Sequence, residues 1–319
     1  MSFLTLNGLS KTFARRPQTE PVAALDGISL IMAKGESLAV IGESGSGKST
    51  LAKIIARLET ADAGSIYYKG KDISSLTRDM EKSVRRNIQI IFQDPAAALN
   101  PRKTVREILE EPLRNFESFG REARLARIAE MLETVKLAPH YLSRYPHELS
   151  GGQCQRICVA RALICRPELV LCDEPVSSLD ASLQAEIIAL MKRLKEIFGL
   201  SYLFISHNLA AVAALCDRVA VMYLGQMMEI FPVHTLGRRP NHPYTQLLLA
   251  SMPVPDPRRR QSWNGLSQYT PKEEGGLSRG CKFYHRCPLA EPICRIEKPP
   301  LLAMGEGQLV ACHYTDKMI

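Results

Sequence analysis

The run Gly42-Glu-Ser-Gly-Ser-Gly47-Lys48-Ser49 follows the pattern G-x-x-x-x-G-K-[ST], whose chemistry is the capture of phosphate by backbone amides. Gly42, Gly45 and Gly47 tolerate the unusual dihedrals that let the N–H groups from Ser44 through Ser46 to Lys48 encircle a β-phosphate. Lys48 would then reach the β- and γ-phosphates, and Ser49 would ligate Mg2+. A second cluster, Leu169-Val-Leu-Cys172-Asp173-Glu174, is an apolar run closed by two carboxylates. Asp173 is placed to hold Mg2+ through water, and Glu174 to orient or deprotonate the water that attacks a γ-phosphate. Two acids after a strand are often only a solvated strand end, and it is the phosphate loop that gives them a role. These residues indicate nucleotide chemistry without fixing its purpose.

The elements that must hold these groups are legible around them. Ser37 to Ile41 reads as a strand feeding the glycine turn, and Leu51, Ile54, Ile55 and Leu58 mark one face of the helix that follows. From Leu25 to about Ile230 strand-like runs alternate with helical periodicity, the pattern of an α/β domain with a largely parallel sheet. Between about Asp94 and Ala162 the strand signal vanishes, which predicts a helical insertion with Leu125, Ile128, Leu132 and Val135 on one face and a second helix from just after Gly152. Strands resume at Glu168 to Cys172, Tyr202 to Ile205, Val219 to Tyr223 and Met227 to Ile230, with helices around Leu183 to Ile197 and Leu209 to Cys216. Pro253, Pro255 and Pro257 followed by Arg258, Arg259 and Arg260 predict an exposed, semi-rigid connection to a short Cys-rich appendage.

The chain has 319 residues, 45% hydrophobic and 23% charged, which excludes disorder throughout and suggests one large domain with a smaller appendage. Its net charge of +8 suits anionic ligands or surfaces. No stretch reaches the roughly 18 to 20 apolar residues of a membrane-crossing helix, and Met1 to Lys11 carries no export pattern, so a cytosolic location is expected. Of nine cysteines, Cys154, Cys158, Cys165, Cys172 and Cys216 sit in apolar or helical contexts, as buried hydrophobes do.

Leu149-Ser150-Gly151-Gly152-Gln153 resembles the signature motif of ABC ATPases, and the family's other motifs follow in order. Gln93 resembles the Q-loop glutamine that senses Mg2+, Ser177-Ser-Leu-Asp180 the D-loop, and His207 the switch histidine that contacts the γ-phosphate. Phe13 is similar in placement to the aromatic residue that stacks on adenine, with Arg15 to Glu20 as an insert behind it, and Thr50 extends the nucleotide-binding set. The resemblance implies an α/β P-loop NTPase with a RecA-like sheet core and a helical subdomain. It further implies that Ser150 to Gln153 cap the γ-phosphate of ATP held by a partner subunit.

Phe92-Gln-Asp-Pro, Leu99-Asn-Pro-Arg102, Tyr145-Pro-His-Glu-Leu149, Asn241-His-Pro-Tyr-Thr245 and Met252-Pro-Val-Pro-Asp-Pro257 narrow the resemblance to ATP-binding subunits of oligopeptide, dipeptide and nickel ABC importers. Cys154 and Ser178 depart from the family's usual residues without removing a catalytic group. The implied organisation is an ATPase domain over 1–235, with its helical subdomain at about 94–162, and a C-terminal extension over 236–319. The implied partners are a homologous ATPase subunit, as a heterodimer or a homodimer, two membrane permease subunits docking on the helical subdomain and, indirectly, an extracytoplasmic solute-binding protein. The chain would then work at the cytoplasmic face of the inner membrane, with ATP and Mg2+, on peptide import in the first place and nickel import as the alternative. A non-transport ABC ATPase acting on nucleic acid or ribosomes is the rival class. One phosphate loop, one signature and no sustained heptads speak against it, so nucleic acid is not expected as a partner.

Cys281, Cys287, Cys294 and Cys312 form C-x5-C-x6-C-x17-C, looser than common zinc knuckles. Four thiolates on one short segment suit a 4Fe-4S iron–sulfur cluster, which the resemblance also suggests, with zinc or unligated thiols as the alternatives.

Overall fold

The computed structural model describes residues 2–13, 21–236, 242–251 and 280–314. Arg15 to Glu20, Asn241, Met252 to Pro257 and Arg258 to Arg260 therefore lie outside the described residues.

In chain order the elements are β1 (Leu4–Phe13), β2 (Val22–Met32), β3 (Ser37–Ile41), α1 (Lys48–Ile55), β4 (Ala63–Tyr68), β5 (Lys71–Asp72), α2 (Arg78–Asn87) and β6 (Ile88–Ile91). A helical stretch follows: α3 (Pro95–Ala98), α4 (Val105–Phe116), α5 (Arg121–Thr134) and α6 (Gly151–Leu163). The chain returns to the sheet with β7 (Leu169–Asp173), α7 (Ala181–Phe198), β8 (Ser201–Ile205), α8 (Leu209–Leu215), β9 (Arg218–Tyr223) and β10 (Gln226–Pro232). The last elements are α9 (Pro243–Ser251), α10 (Pro292–Ile296), β11 (Leu302–Gly305) and β12 (Gln308–Val310).

The main sheet runs β11-β12-β10-β9-β3-β8-β7-β6, and its strands β9, β3, β8, β7 and β6 are mutually parallel. β3, β7 and β8 are buried at every position, which is why they read as continuous apolar runs. Alternate residues feed opposite faces. Ala39, Ile41, Cys172 and Phe204 pack with α4, α5, α6 and α7, whereas Leu38, Val40, Leu171, Leu203 and Ile205 pack with α1 and a second sheet.

That second sheet, β2-β1-β4-β5, is antiparallel and starts well before Leu25, where the sequence pattern begins to read as strand. Its strands hide from a period-2 reading because the β1–β2 register shifts between Leu6 and Leu9, again before Lys11 and again before Thr12. Each shift moves the apolar positions out of phase.

The expected helical insertion is present, and residues 95–163 contain no strand. Thr104 opens α4 with a capping box to Glu107. Helix α6 begins at Gly151, two residues before the position expected, because Ser150 caps it.

The C-terminal region is joined to the main sheet by main-chain pairing, β12 running antiparallel to β10. A buried polar joint reinforces the seam. Glu229 of β10 is wholly buried and accepts the His242 N–H at 3.1 Å and the Gln308 amide at 2.7 Å. The His242 ring is itself buried, and its Nδ1 accepts the Tyr244 N–H at 3.0 Å. Burial lowers the pKa of His242 to about 3.

The unfolded chain takes up this proton below about pH 6.5, whereas the native chain refuses it until about pH 3. The contribution is thus complete above pH 6.5 and is lost as pH falls through that window, by about 1.4 kcal/mol per pH unit. His242→Asn keeps an acceptor near Nδ1 and removes the titration. Urea unfolding at pH 7.5 and 5.5 is expected to show the wild type losing stability relative to this variant on acidification.

Candidate functional site

The phosphate-loop residues leave β3 at Ile41 and enter α1 at Lys48. Gly42 and Gly47 have φ of 154° and 99°, and a Cβ there would lie 2.1 Å from the Met222 carbonyl oxygen and 2.2 Å from that of Ala24. No side chain fits either position. Gly45, with φ of 79° and nothing within 4 Å, is required only for its left-handed backbone. The Ser46 N–H donates to the Glu43 carbonyl at 3.2 Å, and the Ser46 carbonyl accepts the Gly225 N–H at 3.0 Å, which ties the turn to the β9–β10 corner. Gly47 gives α1 no side-chain cap, so its first-turn amides remain available to an anion.

Lys48 is buried and donates to the carbonyls of Gly42 at 2.9 Å and Glu43 at 2.8 Å, and to Ser46 Oγ at 3.3 Å. Burial pushes its pKa down, while Glu174, Asp173 and Glu43 pull toward the charged form. Ser49 Oγ donates to Asp173 Oδ1 at 2.9 Å. Burial raises the Asp173 pKa against this bond. A hydroxyl and a carboxylate in contact, both oxygen donors, suit Mg2+.

Glu174 is the hub of the neighbouring cluster. Gln93 Nε2 donates to its Oε2 at 3.1 Å, and His207 Nδ1 lies 3.4 Å from the same oxygen. Gln93 follows β6, Glu174 follows β7 and His207 follows β8, so one edge of the sheet gathers all three. Glu174 has φ of 48°, a strained value for a side-chain-bearing residue. Its N–H donates to the Ile205 carbonyl at 3.0 Å, and its carbonyl accepts from the Ser177 N–H at 3.2 Å and Oγ at 3.1 Å, which holds the kink.

The signature residues sit in the helical region. Ser150 and Gln153 form a reciprocal capping box, with Gln153 N–H to Ser150 Oγ at 3.3 Å and Ser150 N–H to Gln153 Oε1 at 2.9 Å, and Gln153 Nε2 reaches the Tyr141 hydroxyl at 2.8 Å. Gly151 is exposed and Gly152 backs onto Leu183 of α7. Asp180 caps α7 by accepting the Leu183 N–H at 3.0 Å. Ser44 and Gly45 are exposed beside the loop, and Thr50 lies half-buried in the first turn of α1. Phe13 ends β1 with its ring 40% exposed and the Lys11 ammonium 5.3 Å from its centroid.

Cys281, Cys287 and Cys294 are buried, Cys312 is half-buried, and all four line one pocket with His242, Tyr284 and His313. Burial pushes the Cys281 thiol up to about 12. Among the described residues no three His, Cys, Asp or Glu side chains stand together as ligands of a metal ion.

Several contributors are not among the site residues expected from the sequence. Asn208 caps α8 through the N–H groups of Ala210 and Ala211, and its Nδ2 donates to Gln184 Oε1 at 2.8 Å. Gln184 Nε2 in turn donates to the Leu179 carbonyl at 2.9 Å, which links the His207 turn to the Ser177 to Asp180 loop. An Asn just ahead of a helix is a recognisable cap, and that signal was available in the sequence. Tyr244 carries a signal only as part of the Asn241-His-Pro-Tyr-Thr245 run and Arg286 carries none, yet both reach Glu43 of the phosphate loop.

Residues 25–177 match the ABC transporter family and residues 228–294 the oligopeptide/dipeptide transporter C-terminal region. The oligopeptide transport ATP-binding protein AppF of Bacillus subtilis is 48% identical, with 92% of this chain and 89% of the relative covered. OppF, the oligopeptide transport ATP-binding protein of Salmonella typhimurium, is 45% identical over 96% of this chain and 91% of its own length. The dimeric ATP-binding cassette MJ0796 in a post-hydrolysis state, bound to ADP and Pi, superposes with a TM-score of 0.66 at 30% identity, covering 72% of this chain and 98% of that one.

Proposed function

The chain belongs to the ABC transporter ATPases, and from that premise we propose that it is the ATP-hydrolysing subunit that energises import of di- and oligopeptides through a membrane transporter. The observation that carries the mechanism is the convergence of Gln93 and His207 on one oxygen of Glu174, beside the Lys48, Ser49 and Asp173 cluster. Glu174 is the base that takes a proton from the attacking water, and Gln93 and His207 orient its carboxylate. Lys48, with the amides from Ser44 to Lys48 and with Gly42, Ser49 and Thr50 around them, receives the phosphates, and His207 faces the γ-phosphate. Ser49, Asp173 and Gln93 would hold Mg2+, which neutralises charge on the β- and γ-phosphates when bound.

Phe13 is the adenine-facing residue in this reading. Ser150 to Gln153 cap ATP held by a partner subunit, and Asp180 stands at that same junction. Support for a two-chain site comes from the dimeric cassette that this fold resembles. The ATPase domain is proposed as 1–235, its helical subdomain about 94–162 as the permease-docking part, and 236–319 as the importer-type extension. Among the described residues no helix is long and apolar enough to cross a membrane, in keeping with a peripheral subunit held at the cytoplasmic face by two permease subunits. A peptide cargo is supported by the relatives, whose names are those of oligopeptide or peptide transport proteins. A solute-binding protein outside the membrane would act only through the permeases.

For the cysteine-lined pocket the donor set of four thiols, without a carboxylate, keeps a 4Fe-4S cluster as the proposal. Anaerobically purified chain should then contain iron and acid-labile sulfide and show visible absorbance that is lost in Cys281→Ser. Iron-free, colourless protein would leave zinc or unligated thiols, which the zinc content of the same sample separates.

Glu174→Gln should bind ATP while turnover falls by about 10²- to 10³-fold. Light scattering of this variant with ATP should show a trapped dimer, formed alone if the pair is homodimeric and only with an added homologous subunit if it is heterodimeric. Undiminished hydrolysis would remove Glu174 from the role of base.

A strain lacking the chain should lose uptake of a labelled oligopeptide and keep that of labelled nickel. The reverse pattern would move the chain to the metal branch.

A further inference from the structure

The contacts with no role so far run from the C-terminal region to the phosphate loop, and they meet at Glu43. The Glu43 carbonyl receives Lys48 Nζ at 2.8 Å and the Ser46 N–H at 3.2 Å, so the set of this one peptide unit fixes both the lysine and the turn that follows. From the opposite side the Glu43 N–H donates to the Tyr244 hydroxyl at 2.9 Å. The Glu43 carboxylate presents both oxygens at 3.0 Å to Arg286 Nη1. Tyr244 is wholly buried in α9, and Arg286 lies in the segment between Cys281 and Cys287.

An aromatic box keeps these two groups in place. The rings of Tyr223 and Tyr244 are 4.5 Å apart, and Phe283 stands 5.3 Å from Tyr244 and 5.4 Å from Tyr223. The Arg286 guanidinium covers Tyr223 at 5.8 Å and Phe283 at 5.7 Å. An ion pair whose side chains are 27% and 42% exposed is weak as a stabiliser of the fold. Its leverage is positional, because it ends on the backbone that presents Lys48.

We propose that Arg286 and Tyr244 are positioning residues for ATP binding, holding Glu43, and through its carbonyl Lys48, in the arrangement that receives the phosphates. The inference rests on the phosphate loop being the ATP site. Phe283 and Arg286 lie within two residues of Cys281 and Cys287, which line the cysteine pocket.

The test is equilibrium binding of ATP, with KM and kcat for hydrolysis and Tm, on the full chain and its Arg286→Gln, Arg286→Lys, Tyr244→Phe, Glu43→Gln and Arg286→Gln/Glu43→Gln variants. Kd and KM for ATP are expected to rise about fivefold in the Gln variants while kcat stays within about twofold, with Arg286→Lys retaining most of the affinity. The double variant should bind no more weakly than the worse single one, because both remove the same pair. Tyr244→Phe keeps the buried ring, loses only its oxygen, and carries the test if Arg286→Gln fails to fold. Unchanged Kd and KM across the folded variants, whether or not Tm falls, overturns the inference. Wild-type chain that binds ATP no better than a Lys48→Ala control would instead remove the reading on which it rests.

Discussion

The parallel hydrogen-bond register of β6, β7, β8 and β3 is the constraint from which the site follows. Ile91 pairs with Cys172, Asp173 with Ile205, and Val40 with Ile205, so four strands end level with one another. Each strand then releases its chemistry-bearing residue from the same rim: Gln93, Asp173 with Glu174, His207, and the glycine loop that begins at Gly42. Carboxyl ends of parallel strands are where open α/β sheets place ligands. A slip of one register position on any of these strands would exchange the residues that feed its two sides and carry its chemistry-bearing residue out of the cluster.

The rim is costly to maintain, and the surrounding structure shows how the cost is offset. Lys48 and Asp173 are both buried, each shifted toward its neutral form by loss of water, Lys48 drawn back by the nearby carboxylates and Asp173 by Ser49 and the nearby lysines. Glu174 keeps a backbone conformation worth on the order of 1 to 3 kcal/mol of strain, held by the Ile205 carbonyl on one side and Ser177 on the other. Gly42 and Gly47 are pressed against carbonyls of Met222 and Ala24. The loop is thus shaped from outside, by β9 and β2, rather than by its own residues.

Much of this was legible from residue types. The strands β3, β7 and β8 are buried on both faces and announce themselves as unbroken apolar runs, and the glycine loop lies between a readable strand and a readable helix. The antiparallel sheet was not legible, since the register shifts along β1 break the alternation that marks a half-buried strand. Nor were the contacts of Glu43, which reach across 201 residues to Tyr244 and 243 to Arg286. Nothing local distinguishes an arginine that covers two rings and meets a distant carboxylate from one that is merely solvated. The cysteines were legible as a group, but only the fold shows that they open onto one pocket.

The pairing of β12 with β10 has a consequence for how the chain comes into being. β10 is made directly after β9, well before β12, and it is buried over most of its length in the finished sheet. The strand that covers its outer edge is synthesised only after α9, the proline-rich stretch and the cysteine segment have followed. Until then a nascent chain presents an apolar strand with unpaired amides and carbonyls, a template for pairing with another chain. The same late hairpin that completes the sheet thereby also ends the interval in which the emerging protein is most open to aggregation.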